Sequence, residues 1–205
     1  MKTAFLTAYF ANVIDLFLEQ MGSIKGKKIA FIPTASRVEP IRFYVDEAKQ
    51  ALVDNGAELD ELDLTTATQT EIEGKLTKSD IIYVSGGNTF FLLQELNRTG
   101  AREHIIQHVN AGKGYIGESA GAMIMAADIE YVKLMDSVAS APHLTDYRAL
   151  NLVDFYPVPH YTNFPFIEAT QHILEIYGSR LNLLPINNDQ AIMVHNGQIE
   201  IKTKH

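Results

Sequence analysis

The chain has 205 residues, of which 46% are hydrophobic and 20% are charged, and its formal net charge is −8. This length predicts one domain, residues 1–205, and this composition is typical of a globular protein with a sizeable core. The absence of cysteine excludes disulfides, thiolate nucleophiles and cysteine-based metal sites, and the negative charge argues against nucleic acid or an anionic membrane as a partner.

The first 20 residues raise the question of a targeting segment. They include Asp15 and Glu19, and no small-residue cleavage site follows them. A strand over 3–8 and a helix over 11–21 are therefore expected instead of a signal peptide. No apolar run reaches the roughly 18 residues needed to cross a bilayer, so a cytoplasmic protein without a membrane partner is expected.

Apolar runs and helical spacings alternate along the rest of the chain. Strands are predicted over 27–35, 59–64, 80–87, 113–119, within 149–161, and over 181–186, 190–197 and 198–204. Helices are predicted over 41–57, 69–76, 88–100, 101–112, 120–127 and 166–178. Such alternation predicts an α/β fold of three layers, with a mostly parallel central sheet and helices on both faces. Functional sites of such sheets form at the carboxyl ends of the strands.

One strand-to-helix junction, YIGESAGAMIM (115–125), contains the pattern G-x-S-x-G. Gly117 and Gly121 would allow a turn tight enough to lift Ser119 out of the sheet as a nucleophile. The same turn would place the amide of Ala120 at a helix N-terminus, where an anion is stabilised. The alternative is an ordinary tight turn in which the serine caps the helix.

A second glycine-rich junction, SGGNTF (85–90), also follows an apolar strand and opens a helix. The amides of Gly86, Gly87 and Asn88 are candidates for the second donor of an oxyanion hole. The segment matches neither of the common phosphate-binding glycine patterns, so phosphate is not expected. Glu118 adjoins the serine, but successive strand residues point to opposite sides, so we expect it at the rim of the site.

The base of such a site is expected among the seven histidines. His160 is predicted to end a strand in VPHYTNFP, between Pro159 and Pro165, where a rigid extended backbone would fix its imidazole. The expected substrate-binding residues are Asn88, Glu118 and Asn163.

His104 and His108 lie four residues apart on a predicted helix, but no third metal ligand is evident. A solvated helix face is therefore expected there, and no metal site. The acid that orients the base is open between Asp136 and Asp146, which both lie between Ser119 and the candidate base in sequence. The segment 128–147 carries few apparent apolar anchors, so it is expected to be mobile.

Three segments together resemble the peptidase E (aspartyl dipeptidase) family of serine peptidases, whose fold is similar to that of class I glutamine amidotransferases. They are GGNTF (86–90), GESAG (117–121) and VPHYTN (158–163), in the order and spacing of the family. The resemblance implies Ser119 as nucleophile, His160 as base, and the amides of Gly87 and Ala120 as oxyanion hole. It also implies Asp136 as the acid, and no cofactor is expected.

The chain departs from the family pattern at two places. The related cyanophycinases use a glutamate as the acid, near where INNDQA (186–191) falls here; Asn188 would occupy that place, which favours Asp136. No arginine lies between Tyr161 and Arg180, where peptidase E has one that recognises the substrate aspartate. A carboxylate buried without a cationic partner would bind poorly, so aspartyl preference is not expected.

The prediction is a serine peptidase that hydrolyses small peptides through an acyl-enzyme on Ser119. Two alternatives stay open: an esterase or amidase that uses the same residues, and a non-catalytic domain that binds a small ligand. More than about 4 Å between the side chains of Ser119 and His160 would favour the last alternative.

Overall fold

The structure is a computed structural model that describes residues 2–204, so Met1 and His205 lie outside the described residues. The strands are β1 (Thr3–Thr7), β2 (Lys28–Ile32), β3 (Glu58–Glu61), β4 (Ile81–Val84), β5 (Gly114–Glu118), β6 (Tyr156–Val158), β7 (Leu183–Pro185), β8 (Gln190–His195) and β9 (Gln198–Thr203). The helices are α1 (Ile14–Met21), α2 (Phe43–Asp54), α3 (Gln69–Lys78), α4 (Thr89–Thr99), α5 (Ala101–Asn110), α6 (Ala120–Met123) and α7 (Ile167–Tyr177). Among residues 2–204, no helix has both the length and the apolar character that crossing a membrane requires.

Seven strands form one sheet in the order β3-β2-β4-β5-β1-β8-β9. The five strands from β3 to β1 in this order are parallel, and β8 and β9 complete the sheet as antiparallel neighbours. The predicted α/β fold with a mostly parallel sheet is therefore confirmed. The segment predicted as a strand over 181–186 joins β6 instead, in a separate two-stranded parallel sheet.

Helices cover both faces of the large sheet, because successive strand residues point to opposite sides. In β4, Ile82 and Val84 pack into a core with side chains from α3, α4 and α5, whereas Tyr83 packs into a second core with α1 and α2. All three side chains are fully buried. A strand that is buried on both faces reads as a continuous apolar run, which is how IIYV (81–84) reads.

The helix predicted over 120–127 is only one turn long, because a distant segment satisfies the following carbonyls. Leu150 N donates to Ile124 O at 3.0 Å, and Ala149 N donates to Ala127 O at 2.9 Å. The expectation that residues 128–147 carry few apolar anchors is wrong, because Tyr131 and Val132 are completely buried. This segment contains two short 3-10 helices, Glu130–Leu134 and Val138–Ser140.

Candidate active site

The predicted strand ends meet around one cavity of about 730 Å³. Its lining includes Ser119 after β5, Gly87 after β4, His160 after β6 and Asn188 before β8. The ends of the parallel strands β4 and β5 and the start of the antiparallel strand β8 lie at the same edge of the large sheet, and the small sheet of β6 and β7 supplies His160 to the same cavity.

Ser119 occupies a strained turn between β5 and α6, with φ 49° and ψ −104°. Non-glycine residues rarely adopt such a backbone conformation. Both neighbouring glycines are required: a Cβ on Gly117 would lie 2.4 Å from Gly121 O, and one on Gly121 would lie 2.1 Å from Val84 O. In the described structure the Ser119 hydroxyl makes no capping bond to α6. Its Oγ lies 3.0 Å from His160 Nε2 instead, so the junction is more than a capped helix start.

The expectation that His160 ends a strand with an extended backbone is wrong, because β6 ends at Val158 and His160 lies in the following turn with a left-handed φ of 63°. Its ring stacks on Phe166, with ring centroids 4.7 Å apart and an angle of 24° between the planes. Burial lowers the pKa of His160, and the hydrogen bond to Asn188 acts in the opposite direction. The imidazole is therefore neutral near pH 7, the form that a general base requires.

The second ring nitrogen of His160 contacts Asn188, whose Oδ1 lies 2.8 Å from Nδ1. The small sheet explains this contact: Ile186 N donates to Val158 O at 3.0 Å, so the segment after β7 runs beside the segment after β6. With the amide oxygen of Asn188 facing the ring, Nδ1 carries the proton. Nε2 then has a lone pair for the hydroxyl proton of Ser119.

The structure corrects the expectation that Asp136 orients His160. Asp136 Oδ2 accepts hydrogen bonds from the amide and the hydroxyl of Thr89, at 2.7 and 2.6 Å, where α4 begins. Burial raises the pKa of Asp136 to about 6, and the bonds from Thr89 oppose this rise. The other candidate acid, Asp146, pairs with Arg148 instead.

The oxyanion hole predicted from the sequence has suitable donors. Gly87 has φ +130°, and a Cβ there would lie 2.2 Å from Ala35 O, so no other residue fits. The next amide, that of Asn88, is occupied because it donates to the same oxygen at 2.9 Å. Across residues 2–204, neither the amide of Gly87 nor that of Ala120 has a hydrogen-bond acceptor. Gly87 lines the cavity, and the binding of an oxyanion by these two amides stays a prediction.

Glu118 lies inside the sheet rather than at the rim where we expected it. Its side chain is 1% exposed. Oε1 accepts a hydrogen bond from Phe10 N, and Oε2 accepts one from Tyr83 OH, both at 2.8 Å, while Gly86 N lies 3.5 Å from Oε2. Burial raises the pKa of Glu118 to about 7, and these hydrogen bonds lower it. The carboxyl at the end of β5 therefore contacts β4, the turn after β4 and the short 3-10 helix Phe10–Val13 that follows β1, directly beside the nucleophile.

Two asparagines that we predicted to bind substrate hold the walls of the site. Asn88 is buried, and its Oδ1 caps α4 by accepting a hydrogen bond from Phe91 N at 2.9 Å. Its Nδ2 donates to Ser137 O at 3.0 Å. Asn163 Oδ1 accepts from the amide of Asn188 at 2.9 Å. These bonds explain both residues structurally, and a contact of either with substrate stays a prediction.

Metal chemistry has no candidate centre in the described part of the chain, since no three His, Asp or Glu side chains within it are grouped to hold an ion. The expectation of a solvated face is wrong for His108, which is buried. Its Nε2 lies 3.0 Å from Gly114 O, and burial lowers its pKa.

Comparisons with known proteins show which family this chain resembles over nearly its whole length. Residues 4–202 match the model of peptidase family S51. An uncharacterized peptidase of Pasteurella multocida is 60% identical over 205 residues, which cover 100% of this chain and 99% of the relative. A peptidase E of Actinobacillus pleuropneumoniae is 30% identical over 190 residues, which cover 91% of this chain and 75% of the relative.

A solved structure also has this fold. The crystal structure of a candidate peptidase E protein from Listeria monocytogenes is 49% identical and has a TM-score of 0.96, with 100% of both chains covered. The predicted resemblance to the peptidase E family is thereby confirmed. The chain belongs to peptidase family S51.

Proposed function

We propose that this chain is a serine peptidase that hydrolyses small peptides through an acyl-enzyme on Ser119. The observation that carries this proposal is the 3.0 Å between Ser119 Oγ and His160 Nε2 at a strained strand-to-helix turn. This distance is within hydrogen-bond reach, and it is shorter than the roughly 4 Å that would favour a non-catalytic binding domain. Membership of a peptidase family favours peptide substrates over esters.

The acylation step uses two side chains that line the cavity, those of Ser119 and His160, together with two backbone amides. His160 Nε2 takes the hydroxyl proton as Ser119 Oγ attacks the peptide carbonyl, and the amides of Gly87 and Ala120 donate to the developing oxyanion. The carbon–nitrogen bond then breaks, and the imidazolium gives its proton to the departing amine. Water attacks the resulting ester with His160 again as base, which releases the acid product and restores the serine.

Asn188 acts in this scheme as a positioning residue for His160. Its Oδ1 fixes the tautomer and the orientation of the ring, as the aspartate of other serine peptidases does. Unlike an aspartate, it adds no negative charge to stabilise the imidazolium. The resulting Ser-His-Asn arrangement predicts a base whose pKa stays low and whose activity persists in mildly acidic solution.

The proposal is tested by comparing wild type with Ser119→Ala and His160→Ala on a panel of di- and tripeptides. We expect each substitution to lower kcat/KM by at least about 10³-fold while the fold is retained. Ser179→Ala, an exposed serine outside the cavity, is the matched control and should retain activity. A serine-reactive fluorophosphonate should add its mass to wild type but not to Ser119→Ala.

Two other outcomes would contradict the proposal. Rapid hydrolysis of acyl esters without hydrolysis of any peptide would favour the esterase alternative. Hydrolysis of neither, together with an unlabelled Ser119, would favour the binding domain.

A further inference from the structure

The mouth of the Ser119 cavity is unusually apolar for solvent-facing surface. Within residues 2–204, the three most exposed large apolar side chains all line it: Phe164 at 89%, Ile41 at 62% and Phe43 at 59% exposed. Val38, 40% exposed, lines the cavity as well. Several exposed apolar side chains around a cavity that contains the candidate nucleophile indicate a surface that a ligand covers.

Aromatic surface also lies near the nucleophile. A Cβ built on Gly86 would lie 3.2 Å from Ser119 Cβ and 3.4 Å from Cε2 of Tyr44, so the serine and the tyrosine ring both neighbour Gly86. The ring of Phe43 packs edge-on against Tyr44, with centroids 6.1 Å apart. A substrate side chain next to the scissile carbonyl would therefore meet aromatic surface.

The segment that follows His160 adds apolar surface to the same cavity. Phe166 stacks on the ring of His160, and Phe164, two residues earlier in the chain, lines the same cavity. The base and the nucleophile are thus each flanked by aromatic side chains. The apolar surface begins at the reacting groups and not only at the outer rim.

The charges in the cavity are all of one sign. Its charged lining side chains are Glu39, Glu118 and Asp136, and within the described residues no lysine or arginine lines it. Burial lowers the pKa of His160, so the base supplies no positive charge near pH 7. An acidic substrate side chain would meet like charges and lose its hydration without gaining a partner.

One basic residue lies close enough in sequence to challenge this conclusion. Arg42 is exposed and stands between Ile41 and Phe43, although it is not part of the cavity lining. To pair with an acidic substrate, the Arg42 side chain would have to move into the cavity. Substitution of Arg42 therefore distinguishes a cavity that rejects acidic substrates from one in which Arg42 binds them.

We propose that the cavity selects peptides with a large apolar side chain beside the scissile bond and rejects those with an acidic one. This inference rests on the proposed peptidase function of Ser119. Discrimination would come from desolvation: an apolar side chain is stabilised on the aromatic walls, whereas a carboxylate stays unpaired among Glu39 and Asp136.

The test is a dipeptide panel that holds the branching and the number of side-chain heavy atoms constant, with Leu, Asn or Asp placed on either side of the scissile bond. We expect kcat/KM for the better leucine series to exceed that for the corresponding aspartate series at least tenfold, which is about 1.4 kcal/mol. Phe43→Ser and Phe164→Ser should each reduce this Leu:Asp ratio at least threefold. Both side chains are mostly exposed, so neither substitution removes core packing.

Two controls sharpen the panel. Ile176→Ser removes an apolar side chain of similar exposure, 49%, on α7 outside the cavity, and should leave the ratio unchanged. Arg42→Ala should leave it unchanged as well. If aspartate peptides are hydrolysed as well as leucine peptides, and Arg42→Ala removes that activity, the inference is overturned while the peptidase function stands. If no peptide is hydrolysed, the proposed function fails, and the inference fails with it.

Discussion

The two ring nitrogens of His160 face regions that are built in different ways. Nε2 faces Ser119 in the turn 117–121, where backbone atoms approach so closely that only glycine fits on either side. Nδ1 faces Asn188 in the turn 186–190, where polar side chains make the contacts. The first region is held by steric exclusion and the second by a hydrogen-bond network.

The network of the second region reaches across the whole chain. Asn163 Oδ1 accepts from the amide of Asn188 at 2.9 Å, and Asn12 Nδ2 donates to its carbonyl oxygen at 2.8 Å. Many different polar residues could make such hydrogen bonds. In the turn 117–121, by contrast, there is no space for a Cβ at Gly117 or Gly121, so only glycine is possible. Steric exclusion therefore leaves a short local signature in the sequence, and a long-range polar network leaves almost none.

Gly121→Ala should have the largest effect, because it breaks the sterically defined region. The new Cβ would lie 2.1 Å from Val84 O, so β4, β5 or α6 must shift. We expect the free energy of unfolding in urea to fall by about 3 kcal/mol or more, with loss of peptide hydrolysis. Gly74→Ala, in α3 with open space around it, is the matched control and should stabilise by roughly 0.5–1 kcal/mol. Similar stabilities of the two variants would contradict the steric account.

Glu118→Gln tests the charge that is buried beside that turn. Because burial raises the folded pKa to about 7, against a value near 4.5 in the unfolded chain, the folded state holds more protons between these values. Wild-type stability should therefore fall as pH rises from about 4.5 to 7, by up to about 3 kcal/mol from this group. The glutamine variant lacks this contribution. Urea unfolding at several pH values should show the two stability profiles diverging, and parallel profiles would contradict the assignment.

The local sequence predicted those site residues whose positions depend on close backbone contacts or on the ends of strands. The apolar runs of β4 and β5 and the glycines after them located Ser119, Gly87 and Ala120 at one edge of the sheet. His160 is recognisable among the histidines because it lies between two prolines just after a predicted strand, although it occupies a left-handed turn and not the strand end itself. The resemblance to a known family reinforced the same positions.

The sequence did not predict the residue that contacts Nδ1 of His160, because tertiary contacts place it there. The side chain of Asn188 is not acidic, so the sequence favours Asp136, although Asn188 follows β7 and β7 pairs with the strand that leads to His160. The polar run INNDQ directly before a strand was its one local signal. Asp136 lies near the site for another reason, since its carboxylate binds the start of α4.

Asn188→Asp, in the second region, should have a smaller effect than the two variants above, and it should raise activity. A carboxylate beside Nδ1 would stabilise the imidazolium that forms in the transition state, so we expect kcat/KM to rise about tenfold near neutral pH, or about 1.4 kcal/mol. The same charge raises the pKa of His160. The acidic limb of the pH–rate profile, which should lie below about 6.5 in wild type because burial lowers this pKa, should then move to higher pH.

Asn188→Ala is the companion variant. It leaves Nδ1 without its orienting acceptor and should lower kcat/KM at least tenfold. An unchanged rate in both variants would contradict a positioning role for this side chain.

The smallest effect is expected from Asp136→Asn, and it decides between the two candidate partners of His160. Asparagine keeps an oxygen that can accept the bonds from Thr89, so it changes charge with little change of shape. If Asp136 supported the imidazolium, removing its charge would lower kcat by a factor on the order of 10⁴, as in other serine peptidases. Because Asn188 occupies that position, we expect the loss on a neutral peptide to stay below about fivefold, or about 1 kcal/mol. A loss of several thousandfold in steady-state hydrolysis would return the orienting role to Asp136 and require the loop that carries it to move towards the ring during catalysis.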